Sequence, residues 1–351
     1  MANTSAPAGE ALDGADDASV LDLIALVAAA RARGGSDMEH LPGRLSPSRA
    51  SDFVQCPQLF YYKTICGITE PSTVQNARGT LAHGAFERIF DHSAGDRTPD
   101  LAVSYLRPTW EEMTNTDLDE TEFPIDSKER DRQLARAADY LRLAPKGSET
   151  EAEIFAFAER CIRNWFNIER VNNFSPTQVE MPDGTIVDGR ELHVAAEMFG
   201  VTLHGFIDRL DRWVDARGNA HYSVSDYKTG KFAGEGKSYH PRTMERIRYE
   251  SFFQLRIYAL LCWEMFGIQV ERLRLLYVKN ESKDVAIKEL VVTRQMMDST
   301  KEEVRTIWKG ITKAARTGHW ETRTGPLCDY CFFNDICPAF NPEVAELPLV
   351  V

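Results

Sequence analysis

The chain has 351 residues, of which 43% are hydrophobic and 27% charged, as is typical of a globular protein with a sizeable core. Its formal net charge of -12 argues against a surface that coats nucleic acid, although a local basic groove is compatible with it. An odd number of cysteines, seven, does not indicate a secreted disulfide framework, so we expect a reducing cytoplasm. The apolar run at 20–30 is too short to span a bilayer and lacks the basic flank of a signal peptide, so we expect no membrane.

The composition of the chain suggests a leader, one domain and a short tail. Residues 1–40 are rich in Ala, Gly, Ser and Asp, and we predict a mobile leader with a docking helix near 19–33. A single domain is predicted over 41–340, followed by a tail at 341–351. The aromatic run Phe60-Tyr61-Tyr62 has two interpretations, core packing or stacking on the bases of a single strand.

The first predicted helix of interest runs from Gly79 to Phe90 and carries His83 and Glu87 one turn apart. On the residues alone, His83 would be a buried structural histidine or a metal ligand, and the former is the commoner case. A helical insertion is predicted over about 91–173, where Ser148 opens an apolar-striped helix with a capping box. The insertion indicates no chemistry of its own.

The middle of the chain is predicted to form β-strands. Four strands are predicted there, near 178–181, 193–198, 201–210 and 221–228. Alternation along a strand places Asp226 and Lys228 on one face, and antiparallel pairing would bring Asp208 across from Asp226. Two carboxylates and a lysine there would bind a hard divalent cation such as Mg²⁺ or Mn²⁺. The alternative for an isolated Asp-x-Lys is a solvated or ion-paired strand face.

The connection after the last of these strands is strongly basic and includes Lys231, Arg242 and Arg246. Such a charge run is either a solvated face or a groove for the DNA backbone. The glycine-rich stretch at 230–238 fails the spacing of a Walker A loop, so we expect no nucleotide and no ATP-driven motor in this chain.

The last third of the predicted domain returns to helices and strands. A helix over 249–266 places Gln254 and Tyr258 one turn apart, which on its own is a polar edge of a core helix. Two strands and a helix follow, near 272–278, 285–290 and 293–317. The whole pattern predicts an α/β layer architecture.

The cysteines give the strongest local signal. Three of them crowd the segment 328–337, namely Cys328, Cys331 and Cys337. A tetrahedral site needs one more ligand. The remaining cysteines are Cys56, Cys66, Cys161 and Cys262. Cys56, beside Pro57, has the most loop-like setting and is our predicted fourth ligand. Four thiolates could bind zinc or an iron–sulfur cluster, and spacing alone does not separate the two.

As an ordered set, these motifs resemble the PD-(D/E)xK nuclease superfamily, in particular its RecB-like branch with AddB nuclease domains and CRISPR-adaptation nucleases. The resemblance covers about 45–338. It rests on the helical His83, Gly205-Phe-Ile-Asp208-Arg, Asp226-Tyr-Lys228-Thr-Gly, Gln254-Leu-Arg-Ile-Tyr258 and the four cysteines. It implies a restriction-endonuclease-like core, in which a central mixed sheet is flanked by helices.

The resemblance also implies catalytic roles. Asp208 and Asp226 would hold the metal, with His83 and the Tyr227 carbonyl as further ligands, and Lys228 would position or activate the attacking water. Three further residues are second-tier candidates. Glu180 occupies the place of an acidic residue on the family's first sheet strand, and Gln254 and Tyr258 correspond to a pair associated with DNA handling.

One cysteine before the core and three after it resemble the 4Fe–4S staple of AddB-type nucleases, which favours iron–sulfur over zinc and would join the two ends of the domain. We therefore expect a DNA nuclease, in particular an exonuclease on single-stranded or unwound ends in repair or recombination, with any helicase as a separate partner. Three alternatives stay open. They are a non-catalytic iron–sulfur module that binds DNA ends, a CRISPR-adaptation trimming nuclease and a zinc-stapled protein of unrelated activity.

Overall fold

The structure is a computed structural model, and it describes residues 17–33, 36–119, 121, 127–181 and 183–342. The predicted leader up to residue 16 and the predicted tail from residue 343 lie outside the described residues. The chain divides into two compact units. The smaller unit takes in the described parts of 1–43, 48–70 and 305–351, and the larger unit those of 44–47 and 71–304.

Along the chain, most helices of the described residues come before the central run of strands. They are α1 (Asp17–Ala32), α2 (Pro47–Gln55), α3 (Pro57–Phe60), α4 (Val74–Arg88), α5 (Pro99–Ser104), α6 (Leu106–Met113), α7 (Lys128–Leu143), α8 (Glu149–Ile168), α9 (Pro241–Ser251), α10 (Phe253–Phe266), α11 (Lys283–Ala286) and α12 (Arg294–Thr317). The predicted insertion at 91–173 thus consists mainly of the helices α5 to α8. In the part of the chain that the structure describes, no helix combines the length and apolarity needed to cross a membrane.

The strands all belong to the larger unit. They are β1 (Arg44–Leu45), β2 (Gln178–Glu180), β3 (Ile186–Asp188), β4 (Arg190–Met198), β5 (Val201–Val214), β6 (Ala220–Lys228), β7 (Val270–Tyr277) and β8 (Ile287–Val291). The main sheet has the order β1-β5-β6-β7-β8, with β4 beside β5, whereas β2 and β3 form a separate antiparallel pair. Because β1–β5 and β6–β7 are parallel and the other pairs antiparallel, the sheet is mixed. The predicted α/β fold with a mixed central sheet is confirmed.

A tight turn sets the register of the β4–β5 hairpin. Met198 pairs with Val201, and the two residues between them, Phe199 and Gly200, have φ of 56° and 80°. Two successive positive φ angles are typical of the two-residue turns that match the twist of antiparallel strands. The register of every later pair in the hairpin follows from this turn.

The core of the larger unit is built where α4, α6 and α8 pack together. The apolar stripe predicted for α8 is buried, since Ile154, Ile162 and Trp165 are all 0% exposed. Gly84 allows α4 to approach α6 closely, because a Cβ there would lie 2.6 Å from Thr109 Cγ2. The ring of Tyr227 belongs to the same cluster. This packing anchors the strand that carries the candidate catalytic residues.

Aromatic packing dominates the smaller unit. Trp320 stacks on Phe60 with ring centroids 5.7 Å apart, and its indole N–H donates to Asp37 Oδ2 at 2.7 Å. Tyr62 stacks on Phe333 at 5.0 Å, and Tyr61 is likewise buried. The run Phe60-Tyr61-Tyr62 is therefore core, and the alternative interpretation as a base-stacking surface is wrong.

Candidate active site and cysteine cavity

Two carboxylates from neighbouring strands form the centre of the candidate active site. The ladder between β5 and β6 begins with the pair Arg209 and Ser225, so one residue further places Asp208 opposite Asp226. At this position a side chain and not a backbone carbonyl is the acceptor: Asp208 Oδ2 accepts a hydrogen bond of 2.8 Å from the backbone N–H of Tyr227. The structure thus brings together the two carboxylates that the sequence singled out.

Asp226 is almost fully enclosed, with 3% of its surface exposed. Lys228 Nζ lies 2.7 Å from Asp226 Oδ2 and forms an ion pair with it. Burial, and after it the charge of Asp208, raises the pKa of Asp226 to about 6 against the opposing effect of Lys228. A buried carboxylate that faces a second carboxylate is well suited to bind a cation.

His83 reaches this centre from α4. Its Nε2 lies 3.0 Å from the carbonyl oxygen of Tyr227, and its Nδ1 lies 3.6 Å from Asp208 Oδ2. The imidazole packs edge-on against the Tyr227 ring, with centroids 5.9 Å apart and planes at 89°. An imidazole nitrogen, a backbone carbonyl and a carboxylate, the ligand types that the resemblance implied, therefore meet at one point.

Glu191 on β4 is a member of the site that our sequence analysis missed. Ladder pairs on either side of it place Glu191 opposite Asp208, and its backbone is in the left-handed region with φ of 41°. Ligand atoms of His83, Glu191 and Asp208 all lie within 4.8 Å of one another. Partial burial of the carboxyl, together with the charge of Asp208, raises the pKa of Glu191 to about 7. Backbone strain at such a position is characteristic of functional sites.

Glu180, the acidic residue that the resemblance selected, lies elsewhere. It ends β2, in the separate β2–β3 pair, and its side chain is exposed. The structure does not bring Glu180 to the group formed by His83, Glu191 and Asp208. Glu191 therefore supplies the further carboxylate that we had placed at Glu180.

Tyr227 is fixed from the opposite side of the sheet by a buried ionic network. Its hydroxyl accepts a hydrogen bond from Arg209, whose guanidinium also binds Glu169 at 3.1 Å and Asp211 at 2.8 Å. Arg274 contacts the same Glu169 at 2.7 Å. Burial alone would raise the pKa of Glu169, but the two guanidinium groups lower it to about 2. The network holds the strand segment whose backbone touches both Asp208 and His83.

The pair Gln254 and Tyr258 lies on α10 as predicted, and the amide Nε2 of Gln254 donates to the Tyr258 hydroxyl at 2.8 Å. Tyr258 is buried against Gly205, where a Cβ would lie 2.5 Å from the tyrosine ring. Burial raises the pKa of Tyr258 to about 12, and the nearby charges of Asp226 and Asp208 act in the same direction. The hydroxyl therefore remains a neutral hydrogen-bonding group beside the carboxylates.

The three basic candidates Lys231, Arg242 and Arg246 are exposed. Arg242 and Arg246 lie on α9, where Arg246 makes a loose ion pair of 3.6 Å with Glu250. Exposed pairs of this kind contribute little to stability, so these side chains are available to another charged molecule.

The smaller unit contains a cavity of ≈ 170 Å³ whose lining includes all four predicted cysteine ligands, Cys56, Cys328, Cys331 and Cys337. Each of the four is a free thiol. Backbone N–H groups of Arg323 and Gly325 point at the sulfurs of Cys56 and Cys328, both at 3.4 Å. Donors of this type stabilise thiolates and clusters bound by them.

The remaining cysteines have different settings. Cys161 and Cys262 are buried, and burial raises the pKa of each thiol to about 12. Cys66 lies beside Tyr61, and burial raises its pKa to about 11. Burial also raises the pKa of the Cys331 and Cys337 thiols, so a raised pKa does not distinguish the two sets. What separates the four candidate ligands from the other three cysteines is the cavity that all four line.

At the end of the β-ladder, the larger unit thus offers three carboxylates, an imidazole and a lysine, which is the ligand set of a metal-dependent phosphodiesterase. The family model of the PD-(D/E)XK nuclease superfamily matches residues 44–338, and the chain belongs to this superfamily. The prediction of a nuclease is confirmed at this level, and members of the superfamily use divalent metals such as Mg²⁺ or Mn²⁺ and act on DNA.

Comparison with known proteins gives little beyond the superfamily. No curated protein matches the sequence significantly. Among solved structures, the chain is similar to a candidate exonuclease from Eubacterium rectale, with 14% sequence identity and a TM-score of 0.45. That match covers 83% of this chain and 88% of the other.

Proposed function

We propose that the protein is a divalent-metal-dependent deoxyribonuclease of the RecB-like branch. In this proposal it is an exonuclease that acts on single-stranded or unwound DNA ends in repair or recombination. The observation that carries the proposal is the convergence of His83, Glu191 and Asp208 within 4.8 Å, with Asp226 across the strand pair. Binding of DNA alone would not require this set of metal ligands.

Asp208, Asp226 and His83 would hold Mg²⁺ or Mn²⁺, and Glu191 and the Tyr227 carbonyl would complete an oxygen-rich set. The fit is supported by the donor set itself, because burial and the charge of Asp208 raise the pKa of Asp226 and a bound cation would offset the repulsion between the two carboxylates. When bound, the cation would polarise the attacking water and the phosphate group.

Lys228 supplies the positive charge of the chain itself at this point. Its ammonium lies 2.7 Å from Asp226 Oδ2, with the side chain partly open to solvent. Placed there, it can donate hydrogen bonds to the attacking water and to a non-bridging phosphate oxygen. It would thus orient the water for in-line attack and stabilise the negative charge that develops on the phosphate.

Residues around this centre would position the DNA. Lys231, Arg242 and Arg246 are exposed cations that could bind backbone phosphates. Gln254, held by its hydrogen bond to the buried Tyr258, would contact the strand close to the carboxylates. The chain contains no Walker A motif, so in this proposal strand separation depends on a separate helicase.

We also propose that Cys56, Cys328, Cys331 and Cys337 bind a 4Fe–4S cluster. A tetrahedral zinc site with Zn–S bonds of about 2.3 Å brings its sulfurs to about 3.8 Å from one another. Within the described part of the chain, these sulfurs form no group of three that all lie within 4.8 Å. The wider spacing and the cavity of ≈ 170 Å³ suit a cluster better than a single ion.

The cluster can be tested by absorbance and by metal analysis of protein purified without oxygen. We expect about four irons per chain and a brown colour, both lost in Cys331→Ala together with stability, because cluster binding and folding are coupled. Cys161→Ala is the matched control, since its thiol is buried in the core of the larger unit. One zinc per chain without iron would contradict the cluster.

The nuclease proposal is tested with end-labelled linear and circular single-stranded DNA in Mg²⁺ or Mn²⁺. We expect the wild type to degrade the linear strand and spare the circle, and Asp226→Ala to cut neither. Degradation of the circular strand would show that the protein is an endonuclease and not an exonuclease. A folded wild type that cuts nothing, or an equally active variant, would contradict the proposal and favour a DNA-end-binding module.

A further inference from the structure

The solvent-facing side of the β4–β5 hairpin carries aromatic residues directly beside the candidate metal ligands. Phe206 is 52% exposed although it lies in the middle of a strand, and it pairs across the hairpin with His193. The two rings are in contact, with centroids 5.0 Å apart and planes at 45°. An isolated exposed phenylalanine needs no explanation, so the argument depends on where this one lies.

The position of the pair is fixed by strand register. Phe206 precedes Asp208 by two residues on β5, and His193 follows Glu191 by two residues on β4. Side chains two residues apart on a strand share a face and lie about 7 Å apart. The aromatic pair is therefore the next row of the hairpin after the carboxylate row, a step comparable to the length of one extended nucleotide.

The surroundings indicate a small planar ligand. Among the described strands of the main sheet, β4 pairs with β5 alone, so β4 is an edge strand and the aromatic pair lies at the edge of the sheet. The row beyond Phe206 contains Ala195 and His204, and the next contains Glu197 and Thr202. The His204 ring lies 6.2 Å from that of His193, so the aromatic patch consists of Phe206 and two histidines. A patch of this extent is small for a protein interface and suits one base.

We propose that Phe206 and His193 form a stacking shelf for one unpaired base of the DNA strand that is being cut. This inference rests on the proposed nuclease function and specifies its substrate. A base inside a duplex is covered by its neighbours on both faces, whereas a base of a single strand is free to stack on an aromatic ring. The shelf therefore selects single-stranded ends, and the carboxylate row receives the adjacent phosphate.

The test is a comparison of Phe206→Ala with removal of one base from the DNA. Binding of labelled single-stranded oligonucleotides is measured by fluorescence anisotropy in an Asp226→Asn background, which separates binding from cleavage. We expect Phe206→Ala to weaken binding about tenfold, as is typical for loss of one stacked base. An abasic residue at one of the three terminal positions should weaken binding to the parent protein equally, and binding to Phe206→Ala no further.

Two controls define the result. Trp263→Ala removes an equally exposed aromatic residue, 53% exposed on α10, and should leave binding unchanged. Phe206→Tyr keeps the ring and should keep the affinity. The shelf is overturned if Phe206→Ala binds the oligonucleotide with an affinity within twofold of the parent. It is also overturned if the losses of affinity from Phe206→Ala and from an abasic site multiply at every position tested. Self-association of the parent that Phe206→Ala abolishes would assign this face to a second copy of the chain and also overturn it.

The outcome is distinguishable from failure of the nuclease proposal. Wild-type protein that shows base-dependent binding but cuts no DNA would refute the nuclease and retain the shelf. Active wild type with base-independent binding would retain the nuclease and refute the shelf.

Discussion

Replacement of Asp226 by asparagine is expected to stabilise the metal-free protein while abolishing cleavage. Asp226 is 3% exposed, and its pKa of about 6 lies above the ordinary value of 3.8 because of burial and the charge of Asp208. This difference corresponds to ~3 kcal/mol at pH 8, the free-energy cost of holding the ionised carboxylate in the folded state. Asparagine has the same shape without the charge and removes this cost.

The dependence on pH follows from the same values. Because the pKa of Asp226 is raised in the folded state, its stabilising contribution is fully present below about pH 4 and is lost as the pH rises through about 6. In urea unfolding with EDTA, we expect the free energy of unfolding of Asp226→Asn to exceed that of the wild type at pH 8. This difference should shrink toward pH 5. Added Mg²⁺ or Mn²⁺ should stabilise the wild type and leave the variant almost unchanged.

Asp215→Asn is the matched control. The half-buried carboxylate of Asp215 accepts hydrogen bonds from the Asn219 side chain and from backbone N–H groups, which hold its pKa well below the ordinary range. Its replacement should therefore lower stability at pH 8, the opposite sign to Asp226→Asn. The reasoning is refuted if Asp226→Asn is less stable than the wild type in EDTA at pH 8, or if metal stabilises both proteins equally.

Three further predictions concern individual contacts. Glu191→Gln should weaken Mn²⁺ binding, measured by calorimetry, at least tenfold, because it removes one charged oxygen ligand; an unchanged affinity would exclude Glu191 from the site. Gly205→Ala should destabilise the fold by roughly 1–3 kcal/mol in urea, since its Cβ would lie 2.5 Å from the ring of Tyr258. Arg209→Met should cost about 3–5 kcal/mol, because it leaves Glu169 and Asp211 buried without their shared partner; a smaller loss would show that Arg274 suffices.

The sequence was sufficient to locate the strands that carry the candidate catalytic residues, because their signals are local. Alternation along a strand placed Asp226 beside Lys228, and the apolar strand that ends near Asp208 suggested the partner strand. The same holds for the cysteines, since Cys328, Cys331 and Cys337 are neighbours in the chain. The fourth ligand, Cys56, was chosen by its setting, and the structure brings it to the same cavity.

Prediction of Glu191 as a site residue depends on recognising the turn of the β4–β5 hairpin. The resemblance suggested an acidic residue on the first strand, and Glu180 stood on the first predicted strand. Among the described strands, that strand pairs with β3 alone, outside the main sheet. Counting outward from Phe199 and Gly200 pairs Asp208 with Glu191, so recognition of the two-residue turn would have identified the residue from sequence.

Burial explains why the aromatic residues were misjudged. Phe60-Tyr61-Tyr62 form a conspicuous run, and we considered them for base stacking. All three are buried by packing that includes Trp320 and Phe333, which lie more than 250 residues further along the chain. Phe206 lies inside a predicted strand, where the sequence does not distinguish a buried ring from an exposed one, and it is the exposed ring beside the carboxylates. Exposure depends on tertiary packing, which local sequence does not report.

The strand that carries Asp226, Tyr227 and Lys228 combines a well-packed face with a face on which like charges repel one another. A metal site gathers like charges, and Asp208, Asp226 and Glu191 repel one another whenever no cation is bound. The residue between Asp226 and Lys228 points the other way, so the Tyr227 ring is locked into the core while its N–H and C=O bind Asp208 and His83. Stability gained on one face of the strand thus offsets the repulsion on the other, which allows the carboxylates to remain in place before the metal arrives.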